Sequence, residues 1–472
     1  MSTEIQKQKE HKPLLTRDGI TSSMAYQPAM DALLQNTKKD YGVFFTPERI
    51  VDFMVSLIDA SRFTDKQDIS ILEPACCLAQ FLIGIKRNLP SLYRKAKTAG
   101  VEVNEDIVHY LTNLKITDDI KLIHHDYLLW QPEQKFNLII GNPPYGIPSP
   151  SVHYSIKIDS ITKEKYKGIC ETWYGKYNVY GAFIEKSIKL LKPDGQLIFV
   201  VPATFMILDD FKRLRTFLSR NGRTSIIYLG PDVFKPEADV SSAVIDFSSS
   251  DKHGGLKLFE YKNDKPSLIK GMPRWQGETV KFETDYTRNL ENICSYLIGD
   301  IYNISISPRT PEIKNNSRII TGDPPNGSYL PLLNGRNLKC NKIIYDNLTG
   351  YWIKKSDAKK MRGYFFEPHI VVGLGFRENG KVGAAYDEKC YPWMGDIYHL
   401  LRKNELFNNC FDLDNVEILE YLNSDYLRRY IADTYREITY HLSITQLKNL
   451  PLPNKIEWQI IGAEKNNAKN SN

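Results

Sequence analysis

Asn142, Pro143, Pro144 and Tyr145 follow directly on the apolar run FNLIIG (136–141). A tetrapeptide of this kind can act on a planar amino nitrogen, such as the exocyclic N6 of adenine. That nitrogen is a poor nucleophile because its lone pair is delocalised into the ring. The Asn142 side-chain oxygen and the Pro143 backbone carbonyl can each accept one of its N–H bonds. Two acceptors so placed draw the nitrogen toward tetrahedral geometry and aim its lone pair at an activated methyl carbon. The prolines stiffen the backbone and withhold competing N–H donors. Tyr145 offers a ring on which a base can stack, worth about 1–3 kcal/mol. No general base is demanded, since the proton can leave to water after transfer and the gain comes from positioning. Asn and Pro are also common turn formers, so the bare tetrapeptide equally describes a turn that closes a strand.

Three acidic signals precede it, each at the end of a short apolar run. In ILEPACCLAQF (71–81), Glu73 and Pro74 close a strand, and the small residues Ala75, Cys76, Cys77 and Ala79 let the backbone turn close to a ligand. Glu102 ends AGVEV (99–103), where a carboxylate can accept both hydroxyls of a ribose. Asp126 and Tyr127 follow KLIHH, and could hold the amino edge and the face of an adenine. His124 and His125 are adjacent, so in a strand they point to opposite faces and make poor joint metal ligands. No metal is expected. Each acidic signal alone also fits an ordinary strand end; their order ahead of the Asn-Pro-Pro-Tyr turn is what favours a site.

The elements that must position these residues read as alternating strands and helices. Thr46 and Pro47 start TPERIVDFMVSLIDA, which has the pattern of an N-capped helix. Strands are expected at 69–73, 99–103, 121–126, 136–141 and 196–202, with one amphipathic helix over 79–97, a second over GAFIEKSIKLL and a KPDG turn. That alternation predicts a mostly parallel α/β sheet, whose C-terminal strand ends are where ligands bind. Beyond about residue 247 the text becomes polar and then mixed, with strand-like fragments (NKIIYDNL, PHIVVGLG, KVGAAYD) and amphipathic helices near 415–435. The expected organisation is a loose arm over 1–40, an α/β domain over 41–250, an α+β domain over 251–455 and a polar tail over 456–472, frayed at its end.

At 472 residues, two or three domains are anticipated. A charged fraction of 25% and a hydrophobic fraction of 42% belong to a soluble globular chain. There is no apolar run long enough to span a bilayer, and MSTEIQKQKEHK lacks the core of a secretion signal. Seven cysteines without a CxxC pair read as reduced thiols in a cytoplasmic protein. The net charge of +6, +2 over residues 1–250 and +4 over 251–472, leans only mildly toward a polyanionic partner.

With these motifs in order, the chain resembles the gamma class of DNA adenine-N6 methyltransferases, specifically the TaqI type. The likeness runs through FFTPERIVDFM, KYNVYGAFIEKSIKLLKPDGQLIFVVPATF and YLGPDVFKPEADVSSAVIDF. It continues through SPRTPEIK, PLLNGRNL, PHIVV, YPW and YREITYHLSITQLKNLPLP, so it covers nearly the whole chain. The resemblance implies a Rossmann-like class I methyltransferase domain followed by a C-terminal α+β DNA-recognition domain. It implies S-adenosylmethionine as cofactor, held by Phe44, Thr46, Glu73, Pro74, Ala75, Cys76, Glu102, Val103, Asp126, Tyr127 and Pro144. Asn142, Pro143 and Tyr145 would hold the target base, and Phe234, otherwise an ordinary core residue, would pack on its other side. One departure stands out. Family members carry PACGxGxF where this chain has PACCLAQF, with Cys77 and Ala79 at the glycine positions.

The resemblance further implies double-stranded DNA as partner, a base rotated out of the stack and a cytoplasmic, DNA-associated monomer, with any cognate restriction endonuclease a separate protein. Arg336 in NGRNL is a candidate base or phosphate contact, though a surface loop Arg reads the same. A short palindrome with a TCGA-like core is the implied target. RNA methylation or methylation of a protein glutamine uses the same turn, and a catalytically silent DNA-binding protein is the reading from another class.

Overall fold

The structure is a computed structural model that describes residues 45–469, except 64–65, 115–116, 150–154, 236–238, 250–253, 323, 325–326, 362–363, 365, 374–381, 404–410 and 440. The arm expected over 1–40 and the cofactor candidate Phe44 lie outside the described residues. The chain divides into two compact units, Met1–Val280 and Lys281–Asn472.

The first unit opens with helix α1 (Glu48–Ser56). Then come β1 (Ile69–Pro74), α2 (Gln80–Asn88), α3 (Pro90–Lys95), β2 (Ala96–Glu102), α4 (Glu105–Thr112), β3 (Ile120–His124) and β4 (Phe136–Gly141). After the Asn-Pro-Pro-Tyr turn follow the short β5 (Ile147–Ser149) and β6 (Ser155–Lys157), α5 (Ser160–Ile169), α6 (Val179–Lys189) and β7 (Leu191–Pro202). The unit ends with α7 (Lys212–Asn221), β8 (Arg223–Gly230), β9 (Ser242–Ser248), β10 (Leu256–Lys262) and β11 (Lys265–Met272).

Nine strands form one sheet in the order β11-β10-β8-β9-β7-β4-β1-β2-β3. β3, β2, β1, β4 and β7 run parallel, whereas β9 lies antiparallel to both its neighbours. Strands buried on both faces must be apolar throughout, and ISILEP and FNLIIG are buried at every position. Asn137 is the polar intruder in β4. Its Oδ1 accepts from Ser70 N (3.0 Å), Ser70 Oγ (3.2 Å) and Lys192 Nζ (3.1 Å), which offsets its desolvation. The order of winding reverses between β1 and β4, so the C-terminal ends of β1, β2, β3 and β4 frame one crevice.

Two local expectations need correction. The single helix expected over 79–97 is two, because Pro90 has no N–H for a continuing helix and Leu89 before it turns to φ −130°, ψ 56°. Thr46 does not cap α1. Pro47 occupies the cap position without a side-chain bond, its carbonyl accepting from Ile50 (2.8 Å) and Val51 (3.1 Å), while the Thr46 hydroxyl is used elsewhere.

The sheet carries on past the boundary expected near residue 250, since β10 pairs with β8 and β11 with β10. Behind them, buried Arg215 donates to the carbonyls of Phe205 (2.8 Å), Leu208 (2.7 Å) and Gly277 (3.2 Å). Val280 N–H reaches the Met206 carbonyl at 2.9 Å, and Trp275 is buried. These contacts tie 273–280 to the first unit.

The second unit is α+β. A four-stranded antiparallel sheet orders Tyr302–Ile306, Ile397–Arg402, His369–Gly373 and Ala384–Asp387, and a three-stranded one orders Ile319–Thr321, Tyr351–Lys354 and Tyr329–Pro331. Leu333, Val371, Trp393 and Ile397 centre one core, and Ile313, Leu332 and Ile353 another. The tail read as polar is a helix, Lys455–Lys469, because Trp458 packs edge-on against Tyr421 (5.3 Å) and Tyr426 (5.8 Å) and Ile461 is buried. Among the described residues no helix is long and apolar enough to cross a membrane.

Arg215→Leu leaves three buried carbonyls without their donor. It is expected to destabilise the first unit by about 3 kcal/mol and to speed tryptic cleavage after Arg274 and Lys281, with the loss read from urea denaturation.

Candidate active site

β1 delivers Glu73, and the chain then turns into α2 through Ala75, Cys77 and Ala79, all left-handed at φ 50°, 44° and 53°. Each such residue with a Cβ costs about 1–2 kcal/mol relative to glycine's freedom. Positions 77 and 79 are the two where the resembled family carries glycine, and their left-handed backbone supplies the physical reason.

Carboxylates hold this strained turn. Glu73 accepts the N–H groups of Phe81 (3.3 Å) and Leu82 (3.0 Å) at the start of α2. Glu102, at the end of β2, accepts from Cys77 N (2.9 Å) through Oε2 and from Val103 N and Asn104 N (both 3.0 Å) through Oε1. β2 approaches so closely because residue 100 is glycine: a Cβ there would stand 2.8 Å from Cys76 Sγ. Burial pushes the Glu73 carboxyl up to about 8 against its two N–H bonds, with Glu102 adding a repulsive charge. Burial likewise raises Glu102 and, with both carboxylates nearby, the Cys76 thiol.

Asp126 and Tyr127 follow just beyond the end of β3. Asp126 accepts Leu128 N at Oδ1 (2.9 Å) and the Tyr166 hydroxyl at Oδ2 (2.6 Å). Buried Tyr127 shares a hydrogen bond with Ser187 (2.8 Å), packs on Phe183 at 4.9 Å and lies under the Lys186 ammonium at 5.2 Å. His124 turns to the Val103 carbonyl (3.1 Å) and His125 to the Asp126 carbonyl (2.9 Å). Among the described residues no group of three His, Cys, Asp or Glu is gathered as a metal site.

At the end of β4, Asn142 Nδ2 donates to Thr46 Oγ1 at 3.0 Å. This sets the amide's orientation, NH₂ toward Thr46 and oxygen to the other side. Tyr145 donates to the Val200 carbonyl (3.0 Å) and is wedged edge-on between Tyr180 (6.2 Å, 83°) and Phe234 (6.0 Å, 81°). Gly146 follows because a Cβ there would lie 2.6 Å from Ile156 Cγ1.

One open cavity, about 1130 Å³ including the solvent at its mouth, gathers Thr46, Glu73, Ala75, Cys76, Glu102, Val103, Asp126, Tyr127, Asn142 and Pro144. Pro74, Pro143, Tyr145 and Phe234 are buried and do not line it. Residues not foreseen also line it: Phe45, Gln80, Ile156, Lys157, Ile158, Tyr166, Val179 and Phe183. Val179, Phe183 and Ser187 are spaced four apart on α6, a face that could have flagged them. Tyr166 offers no comparable signal. The acidic groups of Glu73, Glu102 and Asp126, with aromatic walls from Tyr127, Tyr166 and Phe183, suit an organic ligand that is part cation, part purine.

A switch-point crevice, an acidic cavity and an Asn-Pro-Pro-Tyr turn that lends Asn142 and Pro144 to its lining together make the first unit a Rossmann-like methyltransferase domain of class I. Comparison with known proteins agrees. Residues 37–234 match the Eco57I restriction-modification methylase family and residues 330–452 the TaqI-like C-terminal specificity domain. The chain is 39% identical to the Type II methyltransferase M.TthHB8I of Thermus thermophilus over 417 residues, 87% of this chain and 91% of that one. It is 29% identical to the modification methylase CviBIII of Paramecium bursaria Chlorella virus NC1A over 36% of this chain and 40% of that one. In fold it resembles a DrdV–DNA complex solved by electron microscopy, with a TM-score of 0.56 at 15% identity over 94% of this chain and 60% of that one. The chain belongs to the Type II DNA methyltransferases of restriction-modification systems. S-adenosylmethionine is the methyl donor this family implies.

Cys77→Gly removes a left-handed non-glycine residue, and the cofactor-free protein is expected to gain about 1 kcal/mol in chemical denaturation.

Folded Glu73 keeps its proton up to about pH 8, whereas its ordinary value is 4.5. Folding therefore favours the protonated form between the two values. The stability Glu73 contributes is complete below the lower value and disappears as pH climbs through about 8. Glu73→Gln stays neutral throughout. Without cofactor, the variant should become steadily more stable relative to wild type between about pH 5 and pH 9; denaturation curves that shift in parallel would contradict this.

Proposed function

We propose that this chain transfers a methyl group from S-adenosylmethionine to the N6 amino group of an adenine rotated out of duplex DNA. The observation that carries this reading is Asn142 in the lining of the acidic cavity, its amide oriented by Thr46. The cofactor supplies a methyl group already activated on a sulfonium. The protein's part is to orient, stack and exclude water.

The donor set fits that cofactor. Glu73 faces the cavity as a negative charge or a neutral acid according to pH, and Ala75 and Cys76 would flank the methionine end beside Thr46. Glu102 has three of its roughly four acceptor positions taken by backbone N–H groups, so it has room for one ribose hydroxyl. Asp126 would take the adenine edge, and Tyr127, Val103 and Pro144 its faces and rim.

For the target base, Asn142 Oδ1 and the Pro143 carbonyl accept the two N–H bonds. Tyr145 and Phe234 now touch edge to face, so a base held between them requires those rings to part. Opening the duplex costs a few kcal/mol, and stacking on Tyr145 offsets about 1–3 kcal/mol of it. The second unit would read base edges in the major groove, with exposed Arg336 a candidate contact. We take the protein to act as a monomer in the compartment that holds the DNA, with any cognate endonuclease acting separately and a TCGA-like palindrome the first context to test.

Asn142→Ala is expected to fold and bind cofactor normally, yet to lose methyl transfer by at least about a hundredfold. Nucleoside digests of treated duplex DNA, resolved by mass spectrometry, should contain N6-methyldeoxyadenosine for the wild type alone. N4-methyldeoxycytidine in its place would overturn the adenine assignment.

A further inference from the structure

The segment that follows the Asn-Pro-Pro-Tyr turn contributes Ile156, Lys157, Ile158 and Tyr166 to the lining of the cavity. β5 and β6 pair over Ile147–Ser149 and Ser155–Lys157. β6 lies against Gly146 so tightly that a Cβ there would come within 2.9 Å of Ile156 N. Asp159 then caps α5, accepting Ile161 N and Thr162 N at 2.9 Å. Helix α5 carries Tyr166 inward, where its side chain is buried, lines the cavity and donates to Asp126 Oδ2 at 2.6 Å.

A carboxylate at a strand end can rotate about two bonds. Asp126 is restrained on one oxygen by the Leu128 N–H and on the other by Tyr166. We propose that Tyr166 is a cofactor-positioning residue: its hydroxyl fixes the plane of the Asp126 carboxylate against the purine of S-adenosylmethionine, and so joins the segment after the catalytic turn to the cofactor seat. The inference rests on the reading of Asp126 given above. Burial, with the Asp126 charge beside it, raises the Tyr166 phenol, which keeps it a donor at every pH the protein meets. Charge-assisted O–H···O⁻ bonds of this length are among the stronger ones in proteins. The arrangement also makes chemical sense of the connection. A cofactor whose purine seat is completed by residues immediately downstream of Asn142 binds best when that segment is already folded against it.

Tyr166→Phe keeps the ring and removes only the donor. Calorimetric titration of the full chain is expected to show the dissociation constant of S-adenosylmethionine rising about tenfold, and that of S-adenosylhomocysteine, which shares the adenosine, rising equally. KM for the cofactor should follow, while kcat at saturating cofactor and KM for duplex DNA move less than about threefold. A cofactor dissociation constant within twofold of wild type overturns the proposal, as does a loss spread evenly over kcat and both KM values, which is the mark of a merely structural role. Asp126→Asn separates the two layers. If it leaves cofactor affinity intact, the reading of Asp126 fails; if it weakens affinity while Tyr166→Phe does not, the role of Tyr166 alone fails. The double variant should bind no more weakly than Asp126→Asn by itself, because the two side chains act through one contact.

Discussion

An amide can steer an amine only if its oxygen end is held in one place, and rotation of the terminal torsion would exchange oxygen for NH₂ at small cost. Here the Asn142 NH₂ group is engaged by Thr46 Oγ1. Thr46 is itself buried just ahead of α1, and its carbonyl accepts from Gln80 Nε2 (3.2 Å). The two bonds through Thr46 therefore join three elements, the start of α1, the start of α2 and the end of β4. Much of the first unit can be understood as scaffolding for it. β4 must be buried on both faces for Asn142 to emerge at a fixed point, and Asn137 within that strand must be satisfied by Ser70 and Lys192 for the strand to be buried at all.

The acidic side of the cavity shows a different balance. Glu73 and Glu102 are buried near the ends of β1 and β2, and burial works against their charge. Five backbone N–H groups compensate in part, one of them that of left-handed Cys77 and two at the start of α2 just beyond Ala79. Strain and buried acidity thus meet in one place: the turn and the start of α2 aim the N–H groups of Cys77, Phe81 and Leu82 at Glu102 and Glu73. Such a site is stable only because its surroundings over-determine it. Its natural complement is a ligand that brings positive charge and hydroxyl donors.

The second unit follows a separate logic. Small antiparallel sheets around two cores replace one large sheet, and lysines such as Lys354, Lys355, Lys359 and Lys360 sit at or near strand and helix ends. A core of Leu333, Val371, Trp393 and Ile397 leaves loops free to carry contacts, as suits a domain matched to the TaqI-like specificity family.

The chain's amino-acid order alone was enough to locate the central strands, the four strand-end signals and the family, because buried parallel strands are continuous apolar runs and ligands gather at their ends. Cys77 and Ala79 were visible as departures, but only the backbone shows that both positions are left-handed. Local pattern misjudged Thr46, whose hydroxyl has a remote partner instead of its own helix, and the stretch beyond residue 250, whose polar edge strands look like loop until paired with β8. The tail looked polar because Ile461 is the one apolar side chain buried among the described side chains of its helix. Tyr166 and the wall around it were invisible. A hydrogen bond across forty residues depends on where two chain segments meet, and no spacing rule within either segment encodes that meeting.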